Sequence, residues 1–242
     1  MKLIIVGYGA MGERVASLAD DRDYEIVGTV VPEGEETPYP VYHGFDNLPE
    51  ADVIIDFSHP DLTLEMLETD AVTHPIIIAT TGQKEEIIER AKVKGESQPV
   101  FFSANMSYGV HVLNKVVKLA TELLDGYDIE LLEKHHNQKV DAPSGTLNML
   151  LDTIKEVDDR KDAEAIYDRH DRSKKRDEKE IGVSAIRGGS IVGEHDVYFA
   201  GLDEEITISH RAQSKDIFAS GALQVAPKLI EKENGFYNFD NL

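Results

Sequence analysis

Short apolar runs alternate with amphipathic stretches through the first part of the chain. Residues 2–6 (KLIIV) are followed by the glycine-punctuated GYGAMG at 7–12 and then by ERVASLADD, where Val15, Ala16, Leu18 and Ala19 share one helix face. Further apolar runs stand at 24–31 (YEIVGTVV), 51–58 (ADVIIDFS), 74–82 (HPIIIATTG) and 99–105 (PVFFSAN). Between them PDLTLEMLETD and QKEEIIERAKVKG have helical periodicity, and 38–49 is rich in turn formers. Nearly continuous apolar strands separated by helices predict a parallel, doubly wound α/β sheet buried on both faces.

The texture changes at Tyr108. GVHVLNKVVKLATELLDG predicts a long amphipathic helix, YDIELLEKHH a strand, and TLNMLLDTI a helix entered through DAPSGT. Residues 158–180 are dense in charge with little apolar periodicity, which predicts a mobile or partner-facing loop. Within it Lys174, Lys175 and Arg176 are better read as a solvated face than as an anion site. Residues 181–214 predict three strands separated by Gly-rich or Asp-Glu turns. With the strand beginning at Asp128 they make a second, α+β domain on a roughly four-stranded mixed sheet. DIFASGALQVAPKLI predicts a helix that returns to the first domain. The expected division is therefore 1–105, 106–214 and a C-terminal helix and tail, 215–242, belonging with the first domain.

Composition narrows the partners more than the fold. The 242 residues are 41% hydrophobic, ordinary for a globular chain, with no internal repeat. The formal charge of −21, from 46 acidic against 25 basic residues, repels nucleic acid and anionic membranes. An anionic ligand must then be held by local donors: helix N-termini, Arg and Lys. No apolar run is long enough for a membrane span, the N-terminal run lacks the pattern of a signal peptide, and there is no Cys. A cytoplasmic protein is the expectation.

GYGAMG fits the GxGxxG fingerprint between a strand and a helix, with a second strand at the right distance, and so predicts a Rossmann-like dinucleotide site. Gly7 serves the tight turn, Gly9 the approach of a pyrophosphate and Gly12 close helix–strand packing; Tyr8, Ala10 and Met11 complete the loop. An acidic residue for the adenosine ribose should end the second strand; Glu33, just after Pro32, is the candidate, beside other carboxylates in EGEE. With no Arg nearby to hold a 2′-phosphate, NADH is favoured over NADPH. Ligands bind at the carboxyl ends of parallel strands, which makes Ala79, Thr80 and Thr81, and Ser103, Ala104, Asn105 and Met106, candidate walls for the nicotinamide and its ribose. The alternative, equally weighted, is that they simply end strands. His59 reads as a loop residue.

HHNQKVDAPSGT, residues 135–146, puts two imidazoles, an ammonium and a carboxylate directly before a helix start. Ser144 can cap that helix, Gly145 admits a ligand close to the backbone, and the free N–H groups suit an anion. Singly, His135 could be a hydrogen-bonded structural histidine, Lys139 a surface lysine and Asp141 a turn former. Together, in a chain with a dinucleotide fingerprint, they suit a reductase that must deliver a proton alongside a hydride. His135 and His136 are adjacent on a strand end and point to opposite faces, and no HxH or HExxH motif is present, so no metal is expected.

ELLEKHHNQKVDAPSGT resembles the signature of the 4-hydroxy-tetrahydrodipicolinate reductase (dihydrodipicolinate reductase) family. VGYGAMG, ATTG, FFSANMSYGV, IRGGSIVGEH and SHRAQSKDIFASGA also resemble blocks of that family, so the likeness spans nearly the whole chain. It implies NADH- or NADPH-dependent reduction of a cyclic dicarboxylate imine, with loss of water, in lysine and diaminopimelate biosynthesis. By that likeness His135 and Lys139 transfer protons; His136, Gly145 and Thr146 hold the substrate, with Ser144 at the helix start and Arg187 as a further substrate-side residue. The cofactor contacts fall on Gly7 to Gly12, Ala79 to Thr81 and Ser103 to Met106. The family often carries an acidic residue immediately after the second strand, where this chain has Pro32. The likeness also implies a homotetramer assembled through the second domain. Another Rossmann amino-acid or semialdehyde dehydrogenase, or a non-enzymatic dinucleotide sensor, would share the first half of the chain but not the HHNQKVDAPSGT block.

Overall fold

A computed structural model describes residues 1–170 and 172–242; Asp171, in the charged stretch, lies outside the described residues. The chain runs β1 (Lys2–Val6), α1 (Ala10–Asp20), β2 (Glu25–Val30), β3 (Val41–Tyr42), β4 (Val53–Asp56), α2 (Pro60–Glu68), β5 (Ile76–Ile78), α3 (Lys84–Lys94) and β6 (Pro99–Phe102). It continues with α4 (Tyr108–Leu123), β7 (Asp128–His135), α5 (Gly145–Lys155), a 3₁₀ turn at Asp158–Arg160 and β8 (Glu164–Ile166). The last elements are β9 (Glu180–Arg187), β10 (Gly193–Ala200), β11 (Glu205–Ala212), α6 (Asp216–Leu229) and β12 (Gly235–Tyr237). These form two compact units, Met1–Tyr108 with Lys215–Leu242, and Gly109–Ser214.

In the first unit seven parallel strands lie in the order β12-β6-β5-β4-β1-β2-β3. Helices cover both faces, so successive residues of β1, β4 and β5 are buried whichever way they point. Leu3, Ile5, Ile55 and Ile77 join α1 and α6 in one core cluster; Ile4, Val6, Ile54, Ile76 and Ile78 join residues of α2 and α3 in the other. This is the Rossmann-like sheet that the uninterrupted aliphatic runs predict. Two strands lie outside the expectation. β3 falls in the turn-rich segment, and β12 pairs with β6 beyond the last predicted helix. At two and three residues, neither offers a periodicity to read.

The second unit is a mixed sheet in the order β11-β10-β7-β9-β8. Here β7 alternates strictly between half-buried and buried positions. Ile129 and Leu131 pack with Leu113 and Val117 of α4 and Leu147, Leu150 and Ile154 of α5, so the helices cover one face of the sheet. The expected four strands become five, and the charged stretch at 158–180 is not a free loop. It holds the 3₁₀ turn and β8, and its arginines fold back: Arg169 and Arg172 meet the buried Glu180 at 2.6 Å each, and Arg176 meets Asp128 at 2.5 Å. Lys174 and Lys175 remain exposed. Charge density hid a three-residue strand that pairs in parallel with β9 and buries Ile166.

Candidate active site

The glycine turn is built from backbone. Gly7 has φ +79°, and a Cβ there would fall 2.7 Å from Ser58 Cα; a Cβ on Gly12 would fall 2.2 Å from the Gly7 carbonyl oxygen. Those two glycines are required for the turn and for α1 to lie against β1. Around Gly9 the Cβ position is open, and no side chain caps α1, so its first N–H groups face a space that a pyrophosphate fits. Tyr8 stacks edge-on with Tyr39, with ring centroids 5.9 Å apart, and ties this turn to the loop after β2. Glu33 lies exposed in that loop.

The two strand-end walls differ from their expectation in which atoms they offer. Thr80 is buried, and its hydroxyl joins Asp56 at 3.2 Å and Thr63 at 2.9 Å. Burial raises the pKa of Asp56, opposed by hydrogen bonds from Ser58, Thr63 and Thr80. Ala79, just after β5, is buried in the core, and Thr81 is exposed. Ser103 Oγ donates to the Asn105 carbonyl at 2.7 Å, while Asn105 Oδ1 accepts from Ser107 N at 3.0 Å, so 103–107 is a tight turn holding Ala104 exposed. The Met106 side chain belongs to the core. Backbone groups therefore dominate what Thr80 and Met106 present.

In the second unit the site grows from β7. Glu133 and His135 are two residues apart, so both point to the helix-covered face as the polar continuation of Ile129 and Leu131. His136 follows just past the strand end and is half-buried. Register sets His195 of β10 opposite Glu133, and Arg187 of β9 opposite His135. Glu133 is 0% exposed, His195 5% and His135 8%, so three ionisable groups share one dry pocket at the head of α5.

Glu133 is the hub. Its two oxygens accept the Ser144 N–H at 3.0 and 3.1 Å, and Oε1 accepts from Arg187 Nη2 at 2.6 Å. Oε2 stands 3.5 Å from His135 Nδ1 and 3.7 Å from His195 Nε2. Burial pushes the Glu133 carboxyl up, but hydrogen bonds from Ser144 and Arg187 outweigh it and hold its pKa below the usual range. Arg187 Nη2 also donates to the Asp141 carbonyl at 2.5 Å, pinning the loop. Lys139 Nζ pairs with Asp141 Oδ1 at 2.7 Å, which lowers the Asp141 pKa. His135 is depressed chiefly by burial, with Lys139 and Arg187 adding to that and Glu133 opposing it; burial carries His195 down to about 4.

Ser144 caps α5, its Oγ accepting from Leu147 N at 3.2 Å and standing 3.2 Å from His195 Nε2; its carbonyl accepts from Asn148 N. With N–H, Oγ and carbonyl all engaged, Ser144 organises the helix start rather than offering a free donor. Arg187, expected on the substrate side, likewise spends Nη2 on Glu133 and Asp141. Gly145 is exposed with open space around its Cβ position, and Thr146 follows in the first turn, so a carboxylate has access to the backbone there.

Glu133 and His195 were not among the sequence-derived candidates. The available signals were the two-residue spacing of Glu133 from His135 and the histidine in VGEH. With His135 they bring three potential ligand atoms within 4.8 Å of one another. This trio is independent of the two adjacent histidines, because His195 comes from another strand. The guanidinium already on Glu133 makes the pocket suited to hydrogen bonding and proton transfer rather than to a further cation.

A glycine-turn dinucleotide unit joined to an α+β unit with a buried acid–base cluster defines a nicotinamide-dinucleotide-dependent oxidoreductase. Family models described as dihydrodipicolinate reductase match residues 1–106 (N-terminus) and 109–242 (C-terminus), and the chain belongs to that family. It is 54% identical over 243 residues to 4-hydroxy-tetrahydrodipicolinate reductase of Staphylococcus carnosus, covering 100% of this chain and 99% of that one. To the enzyme of the same name from Staphylococcus saprophyticus it is 55% identical, covering 100% of both. Among solved structures, dipicolinate-bound dihydrodipicolinate reductase from Paenisporosarcina sp. TG-14 superposes with TM-score 0.76 at 21% identity, over 98% of this chain and 97% of that one. An amine dehydrogenase from Mycobacterium smegmatis shares the fold at TM-score 0.62 and 12% identity, over 100% and 96%.

Proposed function

We propose that this enzyme reduces 4-hydroxy-tetrahydrodipicolinate to tetrahydrodipicolinate with NADH, in lysine and diaminopimelate biosynthesis. The observation that carries the reading is the buried Glu133–His135–Arg187 cluster at the head of α5, in a chain whose full-length relatives bear that enzyme's name. The balance is substrate plus dihydronicotinamide cofactor plus one proton, giving product, oxidised cofactor and water. When bound, the cofactor supplies the hydride. Gly7, Gly9, Gly12 and the N–H groups of α1 would hold its pyrophosphate, and the turns at Ala79 to Thr81 and Ser103 to Met106 would hold its nicotinamide end.

The protein's own work is to hold the dicarboxylate and move protons. Gly145 and Thr146 take one carboxylate on the α5 N-terminus, with His136 beside it. The dipicolinate ligand of the Paenisporosarcina structure supports a dicarboxylate of this size. His135 and Lys139 deliver the proton to the atom that gains the electron pair and assist departure of the hydroxyl as water. Asp141 keeps the Lys139 ammonium in place through the 2.7 Å ion pair.

NADH is preferred to NADPH because the loop after β2 carries Glu33, Glu35 and Glu36 without a Lys or Arg, an unfavourable field for a 2′-phosphate. The reading further includes a homotetramer formed through the sheet face of the second unit that α4 and α5 leave open, and a cytoplasmic location. Among the described residues no helix is long and apolar enough to cross a membrane.

The test is consumption of NADH by freshly prepared 4-hydroxy-tetrahydrodipicolinate, followed by absorbance, with NADPH compared at matched salt. No consumption overturns the reaction, and a strong bias to NADPH overturns the cofactor preference alone. Sedimentation velocity checks the tetramer.

A further inference from the structure

We propose that Glu133 is the positioning residue for His135: its carboxylate accepts a hydrogen bond from the imidazole Nδ1–H and leaves Nε2 as the atom that exchanges a proton with the substrate. This rests on the reading of His135 as a proton-transfer group and says what makes that imidazole competent.

His135 Nδ1 is buried and has no hydrogen-bond partner among the described residues, a costly state for a ring nitrogen. The carboxylate oxygen that faces it, Glu133 Oε2 at 3.5 Å, is a few tenths of an ångström from hydrogen-bond range. Catalytic hydrogen bonds are often long in the free enzyme and tighten when substrate binds. The other end of the ring lies against Gly193, where a Cβ would sit 3.1 Å from Nε2; glycine leaves that edge uncrowded.

Glu133 cannot swing away, because the Ser144 N–H bonds both of its oxygens and Arg187 holds Oε1. The same bonds keep it ionised in a dry pocket, so it can receive a proton donor without itself taking the proton. His195 is the competitor for Oε2, but it lies farther away at 3.7 Å and has Ser144 Oγ at 3.2 Å. Burial leaves it uncharged down to about 4, so it does not neutralise the carboxylate.

The charged and titratable groups facing His135 are Glu133 on its own strand, Arg187 from β9, Lys139 and Asp141 from the following loop, and His195 from β10, itself opposite His210 of β11. The first turn of α5 contributes no acidic side chain. Arg187 and Lys139 oppose protonation of His135, while Glu133 and Asp141 favour it. Remove the Glu133 charge and both cations remain. In the step itself the Nε2–H bond of the imidazolium breaks, its proton bonds to the substrate atom that received the hydride's electron pair, and Nδ1–H stays on the ring toward Glu133.

Histidine ¹⁵N spectra of the full-length protein, titrated with pH and assigned with His135→Ala, test this directly. The neutral form of His135 should carry its proton on Nδ1; an Nε2–H form in the unmutated protein overturns the proposal with no dependence on how any Glu133 variant folds. Glu133→Gln should lower kcat about 100-fold, shift the His135 limb of the kcat profile to lower pH and leave KM for NADH within about two-fold, and Glu133→Asp should recover about ten-fold of that loss. A folded Glu133→Gln enzyme with an unmoved pH limb overturns the proposal. Near-normal turnover of His135→Ala instead removes the role assigned to His135, which separates the two failures.

Discussion

The two proposed binding regions meet the same problem, holding an anion in a chain of net charge −21, with different materials. The dinucleotide turn uses missing side chains: Gly7 and Gly12 create a close approach of backbone, and the α1 N–H groups are left uncapped by any side chain for the proposed pyrophosphate. The α5 site uses many side chains: Glu133, His135, Arg187 and His195 come from three strands and converge on one helix start. The first site is confined to six consecutive residues and tolerates no added volume at Gly7 or Gly12. The second spans residues 133 to 195, and its tolerance is set by charge rather than by space.

Substitutions can break this contrast, and the largest effects belong to the side-chain site. His135→Ala and Lys139→Ala should each lower kcat by about 10²- to 10⁴-fold while leaving NADH affinity unchanged, because their contribution is made in the transition state. Steady-state kinetics together with NADH titration by fluorescence check this. Parallel losses in kcat and NADH binding would show that the two regions are not separable.

Acid should destabilise the second unit first. His195 takes up a proton at about pH 6.5 in an unfolded chain but only at about 4 in the fold. Between those values the unfolded state binds more protons, so stability is complete above about 6.5 and is lost as pH falls toward 4, by about 3 kcal/mol. His135 and His210 in the same unit, also depressed by burial, act with the same sign, while the first unit has His74 in that position. Urea midpoints at pH 7 and pH 5 should differ less in His195→Gln than in the unmutated protein.

The backbone site is sharpened by Gly12→Ala. The added methyl collides with the Gly7 carbonyl, and the expected outcome is about 1–3 kcal/mol lower stability with weakened NADH binding, read by denaturation and calorimetry. The smallest effect is that of Ser144→Ala, which removes the α5 cap for about 1 kcal/mol of stability while retaining the N–H that holds Glu133.

The same contrast explains what the sequence made legible. The aliphatic runs and the GxGxxG spacing are local patterns, so β1, β4, β5, α1 and the glycine turn can be read directly. HHNQKVDAPSGT is also contiguous, and it pointed to the helix start. Glu133 and His195 escaped because a strand register, not a spacing, brings them together. Arg187, expected beside the substrate, bonds Glu133 and the Asp141 carbonyl through Nη2, partners that nothing in IRGG reveals. β8 was hidden by the charges around it, and β3 and β12 by brevity. Thr80 and Met106 occupy the expected strand ends, but their side chains turn into the protein for reasons visible only in three dimensions: Asp56 needs donors, and the core needs volume.

The placement of α6 and β12 has a consequence for how the chain matures on the ribosome. Ala219, Ala222, Leu223, Ala226 and Leu229 complete the core that β1 and α1 begin, and β12 supplies the final strand beside β6. The unit that starts at Met1 therefore cannot close until residues beyond 229 have left the exit tunnel, whereas Gly109–Ser214 is one uninterrupted segment. The second unit should gain protease resistance before the first, which pulse-proteolysis of stalled nascent chains would reveal. Until then the aliphatic strands of the first unit stand open, making it the part of the newborn chain most in need of chaperone shelter.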